Sequence, residues 1–235
     1  MALSKVDLAN QVENQLPQNL VANNLPFRNI IINGDMSIAQ RGTSVAGLQN
    51  SGGVYLIDRF SYRRDGTWTT AEFTMTQSTD VPTGQGFATS LKMDCTTADA
   101  TPSGADVLIL EQLFEGQNLQ YLKKGTANAV PLTLSFWVKS NKTGTYIAEI
   151  DDDTNSRNIN KSYTVDLADT WEKKTITFEG DTSGTLNNTN AESLNVNFFF
   201  RCWNKFYFWY FSNNLGIYNK CKQSSRSSQS CRRHS

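Results

Sequence analysis

Apolar side chains recur at every second position over most of this chain, and that period restricts what the chain can fold into. The clearest run places one apolar face on a β-strand, made of Leu132, Leu134, Phe136 and Val138. Trp171–Phe178 combines β-branched and aromatic residues with charged alternate positions. Further strands are predicted at Asn29–Asn33, Ile57–Arg63, Thr69–Gln77, Ala88–Thr96, Val107–Phe114, Thr145–Ile150, Asn158–Val165 and Ser193–Phe200. Gly, Asn, Asp and Thr clusters separate these runs, so the sequence predicts an all-β sandwich of about ten antiparallel strands.

Little helix is expected. One short helix is predicted at Asn118–Lys124, between two glycines. The first 27 residues differ from the rest, because Leu8, Val12 and Leu16 are spaced four apart before Pro17 ends the pattern. Such a narrow apolar face suits either an attachment or oligomerisation segment or a frayed terminus. Residues 1–27 are therefore predicted to be a helical or extended linker, and residues 28–200 a single domain.

The composition changes abruptly at residue 201. Seven of the 22 Lys and Arg residues lie in residues 201–235, which contain no acid, so 15 basic residues face 22 acidic ones in the first 200. Phosphate binding needs clustered positive charge, which disfavours nucleic-acid binding by the body of the chain. No stretch of 18 apolar residues occurs, so insertion into a membrane is not expected either.

Residues 201–235 therefore allow two interpretations. One is a genuine basic, aromatic tail suited to single-stranded nucleic acid or a membrane surface. The other is a frameshift near Arg201. Codons permitted for Cys202–Phe211, read one nucleotide later, permit Ala-Gly-Thr-Asn-Phe-Thr-Ser-Gly-Thr-Leu, which resembles the preceding 200 residues. The frameshift is the favoured hypothesis, and an aberrant, irregular tail without coherent packing is predicted.

Three motifs appear in order along the body. The first runs Asn-Ile-Ile-Ile-Asn-Gly-Asp-Met-Ser-Ile-Ala-Gln-Arg-Gly from Asn29, followed by Tyr-Leu-Ile-Asp-Arg-Phe from Tyr55. The second is Leu-Ser-Phe-Trp-Val-Lys-Ser from Leu134 with Gly-Thr-Tyr from Gly144. The third is Asp-Thr-Trp-Glu-Lys-Lys-Thr-Ile-Thr-Phe from Asp169. The first resembles the opening of phage and prophage tail-fibre or virion structural proteins, and the other two are similar to the inner strands of jelly-roll carbohydrate-binding modules.

This resemblance implies an antiparallel jelly roll in a noncatalytic structural protein of a phage tail or particle surface. It implies other virion proteins as partners, assembly as a homo-oligomer and adhesion to host surface polysaccharide. A pure scaffold domain without ligand, or a glycan-degrading enzyme subunit, are the alternatives. The family pattern normally continues into a closing strand beside Asn29–Asn33. The sequence in its present reading frame lacks that strand, so we expect the edge of the sandwich to be incomplete beside Asn29–Asn33.

Glycan binding requires aromatic faces for sugar rings, with nearby amides and carboxylates for hydroxyl groups. The candidate ligand-binding aromatics are Trp68, Tyr62, Trp137, Tyr146 and Trp171. Asp58 and Arg59 are predicted to form an internal ion pair. The one histidine lies in the suspect tail, so no histidine-dependent catalysis is expected in the body and no catalytic residue is nominated.

One loop contains residues that are candidate calcium ligands. Asp151, Asp153 and Asn155 follow a predicted strand and offer the oxygen ligands that Ca²⁺ prefers. Their spacing departs from the usual calcium-loop pattern, so a solvated turn is the competing interpretation. Apart from this possible structural calcium, no cofactor is predicted.

Overall fold

The computed structural model describes residues 29–49, 53–66, 70–99, 101 and 106–200, together with the backbone of Lys205–Tyr210. The side chains of residues 65 and 205–210 are not part of that description. The predicted N-terminal segment 1–27 and most of the tail therefore lie outside the described residues.

Eleven β-strands form within the described part of the chain, and all their pairings are antiparallel. They are β1 (Ser44–Leu48), β2 (Phe60–Asp65), β3 (Glu72–Ser78), β4 (Ser90–Thr97), β5 (Val107–Glu115), β6 (Leu132–Ser140), β7 (Gly144–Asp152), β8 (Arg157–Val165), β9 (Glu172–Phe178), β10 (Glu192–Phe200) and β11 (Lys205–Tyr210). Two short 3-10 helices, Gly116–Leu122 and Asp153–Asn155, follow β5 and β7. The predicted helix at 118–124 thus exists as a single 3-10 segment shifted two residues toward the N-terminus.

The strands form two sheets. One has six strands in the order β1-β3-β4-β11-β6-β9, and the other has five in the order β2-β5-β10-β7-β8. The inner faces of the two sheets share one hydrophobic core. The predicted all-β, antiparallel jelly-roll sandwich is confirmed.

Alternation along the strands builds this core. On β6, Leu134, Phe136 and Val138 are buried while the residues between them are only half-buried. The Phe136 ring meets Tyr163 and Phe198 edge-on, with centroids 4.9 and 5.2 Å away. Each such side chain contributes about 1.5–3 kcal/mol by leaving water, and edge-to-face ring contacts add to that.

The predicted first strand, Asn29–Asn33, is wrong. These residues have no strand structure, although Ile31 is buried. The Gln112 side chain replaces a strand partner, because its amide accepts from the Ile32 N–H at 2.8 Å and donates to the Ile32 carbonyl at 2.9 Å. A side chain from β5 therefore satisfies backbone groups that a neighbouring strand would otherwise pair.

The tail also departs from expectation. Lys205–Tyr210 is a strand, paired with β4 through Lys205–Phe208 and with β6 through Phe206–Tyr210. This strand, β11, therefore lies between β4 and β6 in the six-stranded sheet, and not beside residues 29–33. The tail predicted to be irregular thus contains one strand over these six residues; the remainder of 201–235 lies outside the described residues. The edge strand β1 was not predicted.

Candidate functional site

Two of the predicted aromatic residues lie in the core. The Tyr62 side chain is 1% exposed and the Tyr146 side chain 8%. The Tyr146 hydroxyl lies 3.0 Å from the Ser140 hydroxyl and donates to the Lys142 carbonyl at 2.9 Å. Neither ring can stack on a sugar, because both point inward and belong to the hydrophobic core between the two sheets. The expectation failed because strand alternation turns these two residues inward.

The remaining predicted aromatics are tryptophans. Trp137 lies half-buried on the outward face of the six-stranded sheet, opposite Lys173 of β9. Trp171 is also half-buried, and its indole N–H donates to Asp80 at 2.9 Å while the Lys139 ammonium lies 5.9 Å from its ring centre. Trp68 lies outside the described residues. Trp137 and Trp171 thus lie close to each other at β6 and the start of β9, and the structure does not bring them together with Tyr62 and Tyr146.

A different surface gathers polar side chains. On β10, Leu194, Val196 and Phe198 belong to the core, so Asn195 and Asn197 lie on the opposite, outward face of the five-stranded sheet. Cross-strand register extends this outward surface to both sides. We call it the polar face, and it comprises Ser61, Arg63, Glu111, Glu149, Asp151, Asn160, Asn195 and Asn197.

One row of the polar face crosses all five strands. Asn197 is directly opposite Glu111 on one side and Glu149 on the other, and Ser61 and Asn160 end the row. The Ser61 hydroxyl donates to Glu111 at 2.7 Å, and the Asn197 amide donates to Glu149 at 2.9 Å. The next row pairs Asn195 with Asp151. Directly opposite side chains in a sheet are in contact, so these residues form a continuous polar surface.

The centre of the polar face is buried although it faces away from the core. Asn197 is 1% exposed, Asn195 6%, and both Glu111 and Glu149 are 7% exposed. Burial raises the pKa of Glu149; the Asn197 hydrogen bond opposes the rise and the Asp151 charge adds to it. Burial also raises the pKa of Asp151, helped by the nearby charge of Asp153. Burying carboxylates costs free energy unless partners compensate, so this surface is unusual for a sheet that only faces solvent.

Apolar side chains border the polar face on one side. Phe199 is opposite Ile109 on β5 and Ile147 on β7, and it is half-buried. Ile147 is 42% exposed. Aromatic and aliphatic groups can contact the apolar face of a sugar ring, while amides and carboxylates bind its hydroxyl groups. This edge of the polar face offers both kinds of group.

A cleft of about 540 Å³ adjoins the other side. Leu113, which is opposite Asn195, connects the cleft to the polar face. The cleft lining also includes Arg41, Tyr55 and Asp58. The Arg41 guanidinium lies 5.7 Å from the Tyr55 ring centre and 3.5 Å from the Asp58 carboxylate.

The first sequence motif builds this cleft. Asn33, in a left-handed backbone conformation with φ of 56°, donates to the carbonyls of Ile38 and Asp58, both at 2.9 Å. Asp58 pairs with Arg41, so the predicted ion pair with Arg59 is wrong. Arg59 instead donates to the Leu113 carbonyl at 3.4 Å. The motif residues thus join two loops into one wall of the cleft.

The predicted calcium residues do not converge in the structure. Asp151 belongs to the polar face, Asp153 is exposed, and the Asn155 amide donates to the neighbouring Asp152. Lys124 pairs with Asp152. Among the residues that the structure describes, no group of three or more His, Cys, Asp or Glu side chains is placed to hold a metal ion. Calcium binding stays a prediction.

The sequence contained a signal for the polar face that the choice of aromatics missed. The run Ser-Leu-Asn-Val-Asn-Phe from Ser193 alternates amides with apolar residues, which predicts two asparagines on one outward surface. Glu111 similarly interrupts the apolar strand β5. The cross-strand register places these residues beside Glu149, which is distant from them in sequence. No local sequence pattern predicts that register.

No protein-family model matches this chain, and no curated protein matches it. Among solved structures, it is similar to the enzymatically active domain of bacteriophage CBA120 tailspike protein 4, with 17% identity and a TM-score of 0.42 over 65% of this chain and 18% of that one. It is similar to the family 11 carbohydrate-binding module of Clostridium thermocellum Lic26A-Cel5E, with 12% identity and a TM-score of 0.38 over 73% of this chain and 92% of that one.

A third similar structure is TmCBM61 in complex with β-1,4-galactotriose, with 10% identity and a TM-score of 0.38 over 65% of this chain and 85% of that one. Similarities of this degree do not indicate the ligand or the activity of this chain. The assignment of the β-sandwich depends on the strand order described above. Within the described residues, no helix is long and apolar enough to cross a membrane.

Proposed function

We propose that this chain is a noncatalytic glycan-binding domain of a phage-type virion or tail-fibre structural protein. The polar face and the adjoining cleft form its binding surface. The ligand class is a host surface polysaccharide, held by several copies of the domain at once. Other virion proteins are its structural partners.

The observation that supports glycan binding most directly is the buried row of amides and carboxylates on an outward sheet surface. The hydrophobic core does not stabilise the burial of these side chains, because they lie on the outward side of the sheet. They are Asn195, Asn197, Glu111 and Glu149. Buried polar groups without full hydrogen bonding cost about 1–3 kcal/mol each. A sugar, whose hydroxyl groups are closely spaced, supplies the hydrogen bonds that such groups lack.

The surroundings of the row suit a sugar chain. Phe199 and Ile147 offer apolar contact on one side, and Tyr55 lines the cleft on the other. Contacts of this kind are shallow, and a single one gives modest affinity. Linked copies raise the effective concentration of the second and later contacts, so total avidity can exceed single-site affinity by about 10²–10⁴. Repetition on a particle surface would supply this gain.

The proposal of a phage-type origin is supported by the first sequence motif. Its polar residues shape the cleft: Asn33 bridges two loops and Asp58 pairs with Arg41. The motif therefore has a structural reason to occur in this order in the chain. Location in a phage tail or particle surface follows from the resemblance, and antibody labelling of purified particles would test it.

We also propose that a frameshift near Arg201 replaced the natural C-terminal region. The six-stranded sheet requires a strand between β4 and β6, and the written frame supplies one at Lys205–Tyr210. The shifted frame also offers a residue sequence for that position, with Thr and Ser in place of consecutive aromatics. Sequencing the gene across codons 195–205 tests this idea. An intact, unshifted frame without a homopolymeric run would overturn it.

The experiment for glycan binding is an array of bacterial surface polysaccharides probed with the full chain, displayed multivalently on beads. We expect retention on at least one polysaccharide. Asn197→Ala should weaken that binding by about tenfold or more, because a lost hydrogen bond in a buried site costs more than 1 kcal/mol. The matched control is Thr175→Ala, which removes an equally small polar group from the outward face of the six-stranded sheet.

The possible results separate the three candidate functions. Binding that depends on Asn197 and not on Thr175 supports the proposal. Absence of binding at any display density would leave the scaffold as the function of the domain. Release of reducing sugar from a bound polysaccharide would show a glycan-degrading enzyme and overturn the noncatalytic assignment.

A further inference from the structure

Two of the three asparagines of the polar face, Asn195 and Asn197, have a fixed orientation. The Asn197 side-chain N–H donates to Glu149 at 2.9 Å, and the Asn195 side-chain N–H donates to Glu192 at 2.8 Å. Rotating either amide by 180° would bring its carbonyl oxygen against a carboxylate oxygen, two acceptors without a proton between them. The carbonyl oxygen of each amide is therefore the end left for another molecule.

Those two carbonyl oxygens lack donors. Oδ1 of Asn195 and Oδ1 of Asn197 are buried and have no hydrogen-bond partner among the described residues. The two side chains are 6% and 1% exposed. Native proteins seldom bury polar atoms without a partner, so two of them on one outward surface indicate a place where a ligand completes the bonding.

The donors on the polar face already serve its carboxylates, since Asn197 and Asn160 form hydrogen bonds with Glu149. The Arg63 guanidinium lies 3.1 Å from Glu111, and the Ser61 hydroxyl donates to the same group. The groups directly opposite the two asparagines are Glu149 and Asp151 on β7, which accept when ionised, and Glu111 and Leu113 on β5. This half of the polar face has an excess of hydrogen-bond acceptors and of negative charge.

Ligand groups differ in how they meet such a surface. An ammonium group carries three donors, no acceptor and a positive charge, whereas a hydroxyl group is both donor and acceptor. A carboxylate, sulfate or phosphate on a sugar adds acceptors and a like charge, which is repelled at close range. Hydrogen bonds between an ionised donor and a carboxylate are also roughly twice as strong as neutral ones.

We propose that the polar face selects glycans that carry an unacetylated amino sugar, with the ammonium group seated among Asn195, Asn197, Glu149 and Asp151, and that it rejects acidic glycans. This inference rests on the proposed glycan-binding function and adds the class of sugar. It follows from the excess of acceptors around the two unpartnered amide oxygens.

The test is isothermal titration of the full chain at pH 6.5 and low salt with four hexasaccharides of equal length. They are built from glucosamine, N-acetylglucosamine, glucose and galacturonic acid. We expect the glucosamine hexamer to bind at least tenfold more tightly than the two neutral hexamers, and the galacturonate hexamer to bind most weakly. Equal affinity for amine and neutral hexamers would overturn the inference while leaving glycan binding intact.

Variants locate the selectivity. Glu149→Gln removes one negative charge at nearly constant shape, so the amine hexamer should lose about fivefold more affinity than the neutral hexamers lose. Asp151→Asn should act in the same direction and provides a second variant if the first misfolds. The matched control is Glu179→Gln, an exposed carboxylate paired with Lys161 outside the polar face; it should change nothing.

Two further results would contradict the inference. One is tight binding of the galacturonate hexamer. The other is binding of Ca²⁺ alone with displacement of the amine hexamer, which would assign the carboxylates and amide oxygens to a metal ion. If none of the four hexamers and none of the array polysaccharides binds, the proposed function fails as well, and this outcome is distinct from a loss of selectivity alone.

Discussion

At the scale of single residues, Lys124 shows how a buried charge holds two parts of the sandwich together. Its ammonium group pairs with Asp152, lies 3.1 Å from Asp181, and donates to the carbonyls of Ser183 and Gly184 at 3.1 and 2.9 Å. The Lys124 and Asp152 side chains are only 10% and 3% exposed. The loop after β9 is thereby attached to the end of β7.

Lys124→Met keeps the aliphatic stem and removes the charge, leaving Asp152 buried without its ion pair. We expect the free energy of unfolding, measured with urea, to fall by about 3–5 kcal/mol. The control is Lys161→Met, whose partner Glu179 is 66% exposed, and this change should cost less than about 1 kcal/mol. Equal losses in the two variants would contradict the assigned role of burial.

Asp181 gives a pH dependence with a definite sign. Burial alone would raise its pKa, but hydrogen bonds from Arg157, the Ser183 N–H and Lys124 outweigh it and lower the pKa to about 2. The unfolded value is about 3.9. A group with a depressed folded pKa stabilises the fold above its unfolded pKa and loses that contribution as the pH falls through the folded one.

Comparison of the wild type with Asp181→Asn by urea unfolding between pH 2 and pH 7 measures this contribution. The wild type should be more stable by a constant amount above about pH 5, and the difference should shrink between about pH 5 and pH 2. A difference that grows on acidification would show that the carboxylate destabilises the fold.

At the scale of elements, the alternation of apolar and polar residues predicts which segments are strands, but it does not predict which strands pair with each other. β6 and β9 were predicted because each has a clean period of two, and they are neighbours in one sheet. Asn29–Asn33 has the composition of a strand, yet Gln112 of β5 pairs with its backbone instead. That substitution depends on a contact 80 residues distant in sequence, which no local pattern reveals.

The candidate site was harder to predict than the fold for the same reason. Aromatic residues attract attention as sugar platforms, but Tyr62 and Tyr146 alternate inward and fill the core. The asparagines of β10 have the correct alternation for an outward surface. Their significance arises only when the register places them between Glu111 and Glu149.

The strand β11 allows a matched pair of truncations. Ending the chain after Tyr210 keeps the strand that pairs with both β4 and β6, while ending it after Phe200 removes that strand and leaves two unpaired edges within one sheet. We expect the full chain and the longer protein both to unfold cooperatively in urea. The shorter one should lose cooperative unfolding or aggregate, because unpaired edges recruit other chains. Equal behaviour would show that β11 adds nothing to the fold.

At the scale of the whole molecule, the two outward surfaces differ in kind. The outward side chains of β6 and β9 include hydroxyl pairs such as Thr133 with Thr177, 3.1 Å apart, which satisfy each other. The five-stranded sheet instead presents buried amides whose carbonyl oxygens have no partner among the described residues. The five-stranded sheet is therefore the surface where a ligand has the most to contribute, and the cleft beside it extends that surface.

Amide chemical-shift mapping shows whether glycan contacts the five-stranded sheet. A bound oligosaccharide from the array is titrated into the isotope-labelled full chain. The proposed contact predicts the largest shifts at Asn195, Asn197 and Glu149, with Ser135 and Thr175 on the other sheet unchanged. Shifts concentrated on β6 and β9, or absent from the polar face at saturating ligand, would contradict it.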